Sequence, residues 1–175
     1  MLEIYGTIFI IVLGSFFHFL YDLTNHNKIV GYFTSVNEST WEHIKLVILP
    51  SFLWLITEYH FYFDNNNLFF AKFIGLLVMM ITIPVLYYLS KYFIKKELIV
   101  VSISIFVIAV ILGQILFRLL LFNVDGSLYL KHIGIIGLII ILLVYITNTY
   151  TPLKNFLFKD PITNKYGIDG HSKKN

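Results

Sequence analysis

The chain has 175 residues, of which 58% are hydrophobic and only 13% are charged, and its formal net charge is +3. This small number of charged side chains cannot cover the surface of a soluble globule. The composition therefore excludes an ordinary soluble domain and predicts a protein that folds in lipid. The chain has no cysteine, which excludes disulfides, thiolate metal sites and cysteine nucleophiles.

Five apolar segments are long enough for a helix to cross the hydrocarbon core of a bilayer, which takes about 20 residues. Backbone polar groups in lipid must be satisfied within the segment, and these segments lack the alternating pattern of barrel strands. We therefore predict an all-α, polytopic transmembrane helix bundle over residues 1–151. The spans are predicted at residues 4–21, 41–63, 68–92, 98–122 and 128–150.

The positions of the basic residues predict the orientation, because cytoplasmic loops of membrane proteins carry an excess of lysine and arginine. Lys91, Lys95 and Lys96 lie between the third and fourth spans, and further lysines fill the tail after the fifth. We expect the N-terminus outside and a cytoplasmic tail over residues 152–175, disordered after residue 168. The predicted location is the cytoplasmic membrane, as a multi-pass protein.

The first connection, residues 22–40, is long for a tether between two hydrophobic helices. Residues 30–33 read V-G-Y-F, which is apolar enough to re-enter the membrane or to lie along its interface. The sequence S-T-W-E at 39–42 is a capping box, in which Ser39 caps the second span and Glu42 reaches back to the backbone N–H of Ser39. This connection is therefore predicted to be ordered at the membrane surface.

Histidine, acidic and amide side chains cluster at the two ends of this connection. Imidazole and carboxylate groups bind divalent metals such as zinc, and a carboxylate can act as general base toward metal-bound water. We predict a site in which Glu38 and Glu42 are catalytic and four side chains hold a metal or the substrate: His18, Asp22, Asn37 and His43.

The same residues allow two interpretations without a metal. His18 and His43 can each hydrogen-bond a carboxylate, either in a metal-free acid/base or substrate-binding site or only to stabilise the fold. The capping box by itself accounts for Glu42. The sequence contains no H-E-x-x-H or comparable metal signature that would decide among these interpretations.

A second polar group lies at the opposite predicted end of the spans. Its members are Glu58, His60, Lys72, Gln114 and Arg118. Charges are costly in lipid, so Glu58 is expected to face Arg118 or Lys72 in an ion pair that fixes helix packing. The alternative is that the two polar groups are the ends of one path, with Glu58 and His60 as proton or cation relay points.

Three short motifs carry a resemblance to a known family. Residues 36–43 read V-N-E-S-T-W-E-H, residues 18–22 read H-F-L-Y-D, and the chain closes with D-P at 160–161 and Y-G at 166–167. These motifs resemble a family of small prokaryotic integral membrane proteins of unknown function with a V-N-E-S-x-W-E-H signature. The resemblance covers most of the chain and implies a membrane topology but no reaction.

These patterns lead to one expected function and two alternatives. The expectation is a membrane-embedded hydrolase or transferase, with or without a divalent metal such as zinc, that acts on a lipid or lipid-linked substrate at the cytoplasmic leaflet. The alternatives are an oligomeric ion or small-solute transporter and a membrane interaction subunit of a larger complex. Expected partners are membrane lipids and copies of the same chain, and not nucleic acid, because the lysines fall at the ends of apolar runs.

Overall fold

The computed structural model of the protein describes residues 1–94 and 99–171. Within these ranges the chain is all-helical and forms no strand. The α-helices are α1 (Leu2–Leu23), α2 (Lys28–Gly31), α3 (Thr40–Tyr62), α4 (Leu68–Phe93), α5 (Ile99–Asn123) and α6 (Leu128–Tyr150), and a 3₁₀ helix follows at Gly167–Gly170.

Five of these helices, α1 and α3 to α6, are long and apolar enough to cross a membrane. This number and length indicate a multi-pass membrane protein, as the composition predicts. The ends of the helices differ from the predicted spans by at most two residues. The predicted start of the fourth span, residue 98, lies outside the described residues. The orientation of the bundle in the membrane stays a prediction.

The long helices pack around α4, which contacts α3, α5 and α6, while α1 packs against α3 and α5. The α4–α5 contact is the most extensive, because Gly75 and Gly113 let the two backbones touch. The centre of the bundle is apolar, with five side chains completely buried: Ile10, Val47, Ile48, Ala109 and Val110.

The bundle has two distinct ends. At the end that we call the polar end, α1 and α6 finish, α3 begins, and the connection 24–39 meets the C-terminal segment, residues 151–171. The Tyr145 hydroxyl donates to the Tyr32 carbonyl at 2.8 Å and the Tyr88 hydroxyl to the Phe156 carbonyl at 3.3 Å, which ties these parts together. At the opposite end, the Asn65 amide donates to a carbonyl at the end of α5.

The capping box at the start of α3 forms in only one direction. The Ser39 hydroxyl accepts from the backbone N–H of Glu42 at 3.4 Å, as predicted. The return bond from Glu42 to the Ser39 N–H is replaced, because the Asn37 side chain accepts that N–H at 2.8 Å. The Glu42 carboxylate accepts instead from the Val36 N–H at 3.0 Å, so it fastens the connection to α3.

The C-terminal segment folds back onto the start of α3. The Trp41 ring stacks on Phe158 with centroids 4.8 Å apart, and the backbone N–H of Trp41 donates to the Leu157 carbonyl at 2.9 Å. The predicted disorder after residue 168 falls partly on residues 172–175, which lie outside the described residues. The described remainder completes the 3₁₀ helix and ends at His171 against the connection 24–39.

Candidate functional site

Three ligand-type side chains from three different elements meet at the polar end. His18 comes from α1, Glu38 from the connection and His43 from the first turn of α3, and we call them the first cluster. The two Glu38 carboxylate oxygens lie 4.0 Å from His18 Nε2 and 3.7 Å from His43 Nε2, and the two imidazole centroids are 5.5 Å apart. All three side chains are half-buried, so the cluster lies at the surface of the bundle end rather than inside the core.

The C-terminal segment holds the backbone of the first cluster in place. The Glu38 N–H donates to Asp160 Oδ2 at 2.9 Å, and the Asn37 amide donates to the Gly167 carbonyl at 2.8 Å. Asp160 is fully buried, and its other carboxylate oxygen accepts from the Thr163 hydroxyl at 3.0 Å. Glu38 is therefore positioned by residues more than a hundred positions away in the chain.

The ring orientation of His43 leaves Nε2 facing the carboxylate of Glu38. His43 Nδ1 lies 2.9 Å from the Ser39 carbonyl oxygen, and a carbonyl only accepts, so Nδ1 carries the hydrogen. In the neutral ring Nε2 then presents a lone pair to an anionic carboxylate. A proton or a metal ion between these two acceptors would be bound by both.

A second cluster lies beside the first and consists of Asp22, His26 and His171. Asp22 Oδ1 is 3.4 Å from His26 Nε2 and 3.3 Å from His171 Nε2. The two clusters border one cleft, which His18, Asp22, Glu38 and His171 line together with the segment 35–37. The polar end therefore carries two neighbouring groups of side chains that could hold a metal ion, and members of both groups line one cleft.

The predicted inner residues divide between these clusters and the supporting structure. His18, Glu38 and His43 come together, while Asp22 belongs to the second cluster. Asn37 and Glu42 are buried in the scaffold, where Asn37 ties the connection to the C-terminal segment. Glu42 accepts from the buried ammonium of Lys45 at 3.1 Å, and Lys45 also donates to the Gly31 carbonyl at 3.2 Å.

The sequence analysis missed His26 and His171. The i,i+4 spacing of Asp22 and His26 was a usable signal, but His26 follows the end of α1 and has a positive φ of 60°, which helical spacing does not anticipate. No local signal marks His171, because its position depends on the return of the C-terminal segment across the polar end.

At the opposite end, Glu58 pairs with Lys72 and not with Arg118. Lys72 Nζ lies 2.7 Å from Glu58 Oε2, and both side chains are almost fully buried. Gln114 is buried beside Lys72, and neither amide atom makes a hydrogen bond within the described part of the chain. Arg118 and His60 are exposed on the surface of the bundle.

The fold and the site together define the class of protein: a multi-pass helical membrane protein with histidine–carboxylate clusters at one end of its bundle. The chain belongs to the family of unknown function DUF6512, whose sequence model matches residues 2–168. No curated protein and no solved structure is detectably similar to the chain. The family match thus agrees with the resemblance in covering nearly the whole chain, and it assigns no reaction.

Proposed function

We propose that the chain is a membrane-embedded, zinc-dependent hydrolase that acts on a lipid or lipid-linked substrate at the cytoplasmic leaflet. The observation that carries this proposal is the first cluster, whose ligand atoms all lie within 4.8 Å of one another. Two imidazole nitrogens and one carboxylate oxygen are the protein ligands of one class of hydrolytic zinc site, in which a further position is kept open for water.

The distances within the first cluster suit a shared ion better than direct hydrogen bonds. A direct N–H···O bond joins atoms about 2.7–3.2 Å apart, whereas the oxygen–nitrogen separations here are 3.7 and 4.0 Å. Zinc bonds of about 2.0–2.2 Å in a tetrahedral site leave neighbouring ligand atoms about 3.3–3.6 Å apart. The histidine nitrogens would therefore have to move closer to the one Glu38 oxygen that binds the ion.

The roles of the residues follow from their surroundings. His18 and His43 would bind zinc through Nε2, and Glu38 would complete the set through one oxygen and leave the other to accept a proton, as general base. A bound zinc ion would act as a Lewis acid and make its water nucleophilic near neutral pH. Glu42 has a structural role in this proposal, because Lys45 and the Val36 N–H already engage its carboxylate.

The position of the cleft supports a lipid substrate. Phe16 and Phe19 are about half exposed on α1 on either side of His18, so the cluster borders the lipid-facing surface of the bundle. A substrate with its acyl chains along α1 and its polar head in the cleft would satisfy both surroundings. The lysines of the C-terminal segment at the same end favour the cytoplasmic leaflet.

Zinc analysis of the purified protein tests the metal. We expect the His18→Ala/His43→Ala variant, equilibrated with zinc and desalted in detergent, to hold one equivalent less than the wild type. The matched control is His60→Ala/His132→Ala, which removes two exposed histidines near the opposite end and should keep the wild-type zinc content. Equal zinc content in the two variants would contradict the proposal.

Product formation tests the enzyme. We expect the zinc-loaded wild type to release products from mixed micelles of a total polar lipid extract, followed by mass spectrometry. Glu38→Gln and His43→Ala should release none while eluting as the folded protein in size-exclusion chromatography. A zinc-loaded wild type that releases no product, with any lipid in the extract, would contradict the hydrolase proposal.

A second candidate function, an oligomeric ion or small-solute transporter, is favoured by the buried Glu58–Lys72 pair beside Gln114. Against it, the buried apolar side chains of Val47, Met79 and Ile83 lie between this pair and the polar end. Proton flux into liposomes separates the two functions. A flux that Glu58→Gln abolishes would support transport, and a flux that this variant leaves unchanged would argue against it.

A further inference from the structure

We propose that Asp22, His26 and His171 form a second zinc site, which fastens the C-terminal segment to the end of α1. These residues come from the last turn of α1, from the turn after it and from the position that follows the 3₁₀ helix. Their ligand atoms all lie within 4.8 Å of one another. The inference uses none of the residues of the first cluster and does not rest on the hydrolase proposal.

The two oxygen–nitrogen distances of the second cluster match those of a shared tetrahedral ion. Asp22 Oδ1 is 3.4 Å from His26 Nε2 and 3.3 Å from His171 Nε2. Neighbouring ligand atoms of a tetrahedral zinc ion lie about 3.3–3.6 Å apart, given bond lengths of about 2.0–2.2 Å. The second cluster therefore needs less adjustment than the first to hold an ion.

The ring of His171 is oriented as a zinc ligand is. Its Nδ1 lies 3.0 Å from the Val36 carbonyl oxygen, which can only accept, so Nδ1 carries a hydrogen, and in the neutral ring Nε2 presents its lone pair toward Asp22. A histidine that binds zinc through one ring nitrogen commonly donates the N–H of the other ring nitrogen to a backbone carbonyl, a carboxylate or water. The orientation is thus set by the fold before any ion binds.

The packing of the two imidazole rings also favours a bound metal ion over protonation of both rings. The rings of His26 and His171 have centroids 4.3 Å apart, and the buried ring of Tyr21 packs against both. Two protonated rings at this separation would repel each other, and the site has a single carboxylate to offset them. One divalent ion would be shared by both neutral rings, and two nitrogen ligands favour zinc over magnesium or calcium.

The second site would complete the attachment of the C-terminal segment. That segment is already held near Glu38 by Asp160 and near Asn37 by Gly167. Zinc at the second site would bind its far end across the cleft that both clusters line. The side chains of Asp22 and His26 are about half exposed, so the ion would exchange with solvent, and the segment would act as a metal-dependent cover.

Zinc stoichiometry of the full-length protein in detergent tests the second site. We expect two equivalents in the wild type and in the His60→Ala/His132→Ala control, and one in His26→Ala/His171→Ala. The wild type could also hold a single equivalent of zinc that only His26→Ala/His171→Ala loses. That result would support this inference and would contradict zinc binding at the first cluster. Equal zinc content in the wild type and in His26→Ala/His171→Ala would overturn the inference.

Limited trypsin digestion tests the cover, because Lys159 and Lys165 lie in the C-terminal segment. With free zinc at about ten times its dissociation constant, the fraction of molecules in which the segment is released decreases about ten-fold. Trypsin cleavage should slow by the same factor. His43→Ala should keep this protection, and both His171→Ala and the polar variant His171→Asn should lose it. Cleavage of the wild type at one rate with and without zinc would overturn the inference.

Discussion

Two buried carboxylates have charged or hydrogen-bonding partners within contact distance, which indicates that their role is structural. Glu42 is engaged by Lys45 and the Val36 N–H, and Glu58 is engaged by Lys72. A buried charge that loses its partner keeps the full cost of its desolvation. The carboxylate of Glu38 lies between two imidazoles, 4.0 Å from His18 Nε2 and 3.7 Å from His43 Nε2, and it is the candidate functional one.

The Glu58–Lys72 pair yields a prediction about stability. Lys72→Met leaves Glu58 buried without its cation and should lower the free energy of unfolding by about 3–5 kcal/mol, whereas Glu58→Gln/Lys72→Met should cost less than the single variant. Unfolding by SDS titration measures both. Arg118→Gln is the control, since Arg118 is exposed. A loss for Arg118→Gln as large as that for Lys72→Met would contradict the assignment of the pair.

Substitutions of the two glutamates in the sequence V-N-E-S-T-W-E-H, residues 36–43, should have opposite effects on zinc affinity and on stability. Glu38→Gln should weaken zinc binding at the first cluster by at least about ten-fold and change the stability little. Glu42→Gln leaves the Lys45 ammonium buried without its anion and should lower the stability while the zinc affinity is largely kept. Competition with a zinc-binding fluorophore and SDS titration give the two readouts. If the effects are reversed, the assignment of roles is wrong.

At the scale of elements, the closest helix contact is the crossing of α4 and α5. A Cβ on Gly75 would lie 2.8 Å from the Gly113 carbonyl oxygen, and a Cβ on Gly113 would lie 2.6 Å from the Gly75 carbonyl oxygen. Both contacts are with backbone, which cannot rotate away as a side chain can. The two helices can therefore approach this closely only with glycine at both positions.

Gly113→Ala should consequently force α4 and α5 apart. We expect a loss of about 1–3 kcal/mol in the free energy of unfolding, the range of overpacked interiors, with a matched control in Ser104→Ala on the exposed face of the same helix. SDS titration again measures the difference. Wild-type stability in Gly113→Ala would mean that the helices are not in backbone contact there.

The C-terminal segment is the element on which the first cluster depends. Asp160→Ala removes the acceptor of the Glu38 N–H and the turn that Thr163 closes. We expect faster trypsin cleavage in the segment and a loss of about ten-fold or more in zinc affinity, as for other residues that position metal ligands. Asp125→Ala, at an exposed position near the opposite end, is the control. Zinc affinity equal to the wild type in Asp160→Ala would show that the segment does not position Glu38.

At the scale of the whole molecule, the predicted orientation can be tested directly, because the natural chain has no cysteine. Lys154→Cys lies at the polar end and Asn66→Cys in the α3–α4 turn at the opposite end. A membrane-impermeant maleimide added to intact cells should label Asn66→Cys and leave Lys154→Cys unlabelled until the cells are opened. The reverse pattern would put the polar end outside.

Some of the local structure around the candidate site could be predicted from the sequence, and some of it could not. The capping residue Ser39 could be predicted because a capping box is a local pattern. The buried position of Lys45 was not, because only the return of the connection brings the Gly31 carbonyl to its ammonium. The choice of Lys72 over Arg118 likewise depends on how far each helix is rotated about its axis, which composition does not specify.

The sequence by itself determined five helices that are long and apolar enough to cross a membrane, because lipid imposes a one-dimensional requirement: an unbroken apolar run that satisfies its own backbone. It also pointed to four of the six histidine and carboxylate side chains that meet at the polar end, and not to His26 and His171. Only the tertiary structure decided that these side chains form two clusters, with Asp22 in one and Glu38 in the other. That division depends on the C-terminal segment, whose contacts with the connection join residues far apart in the chain and leave no local pattern.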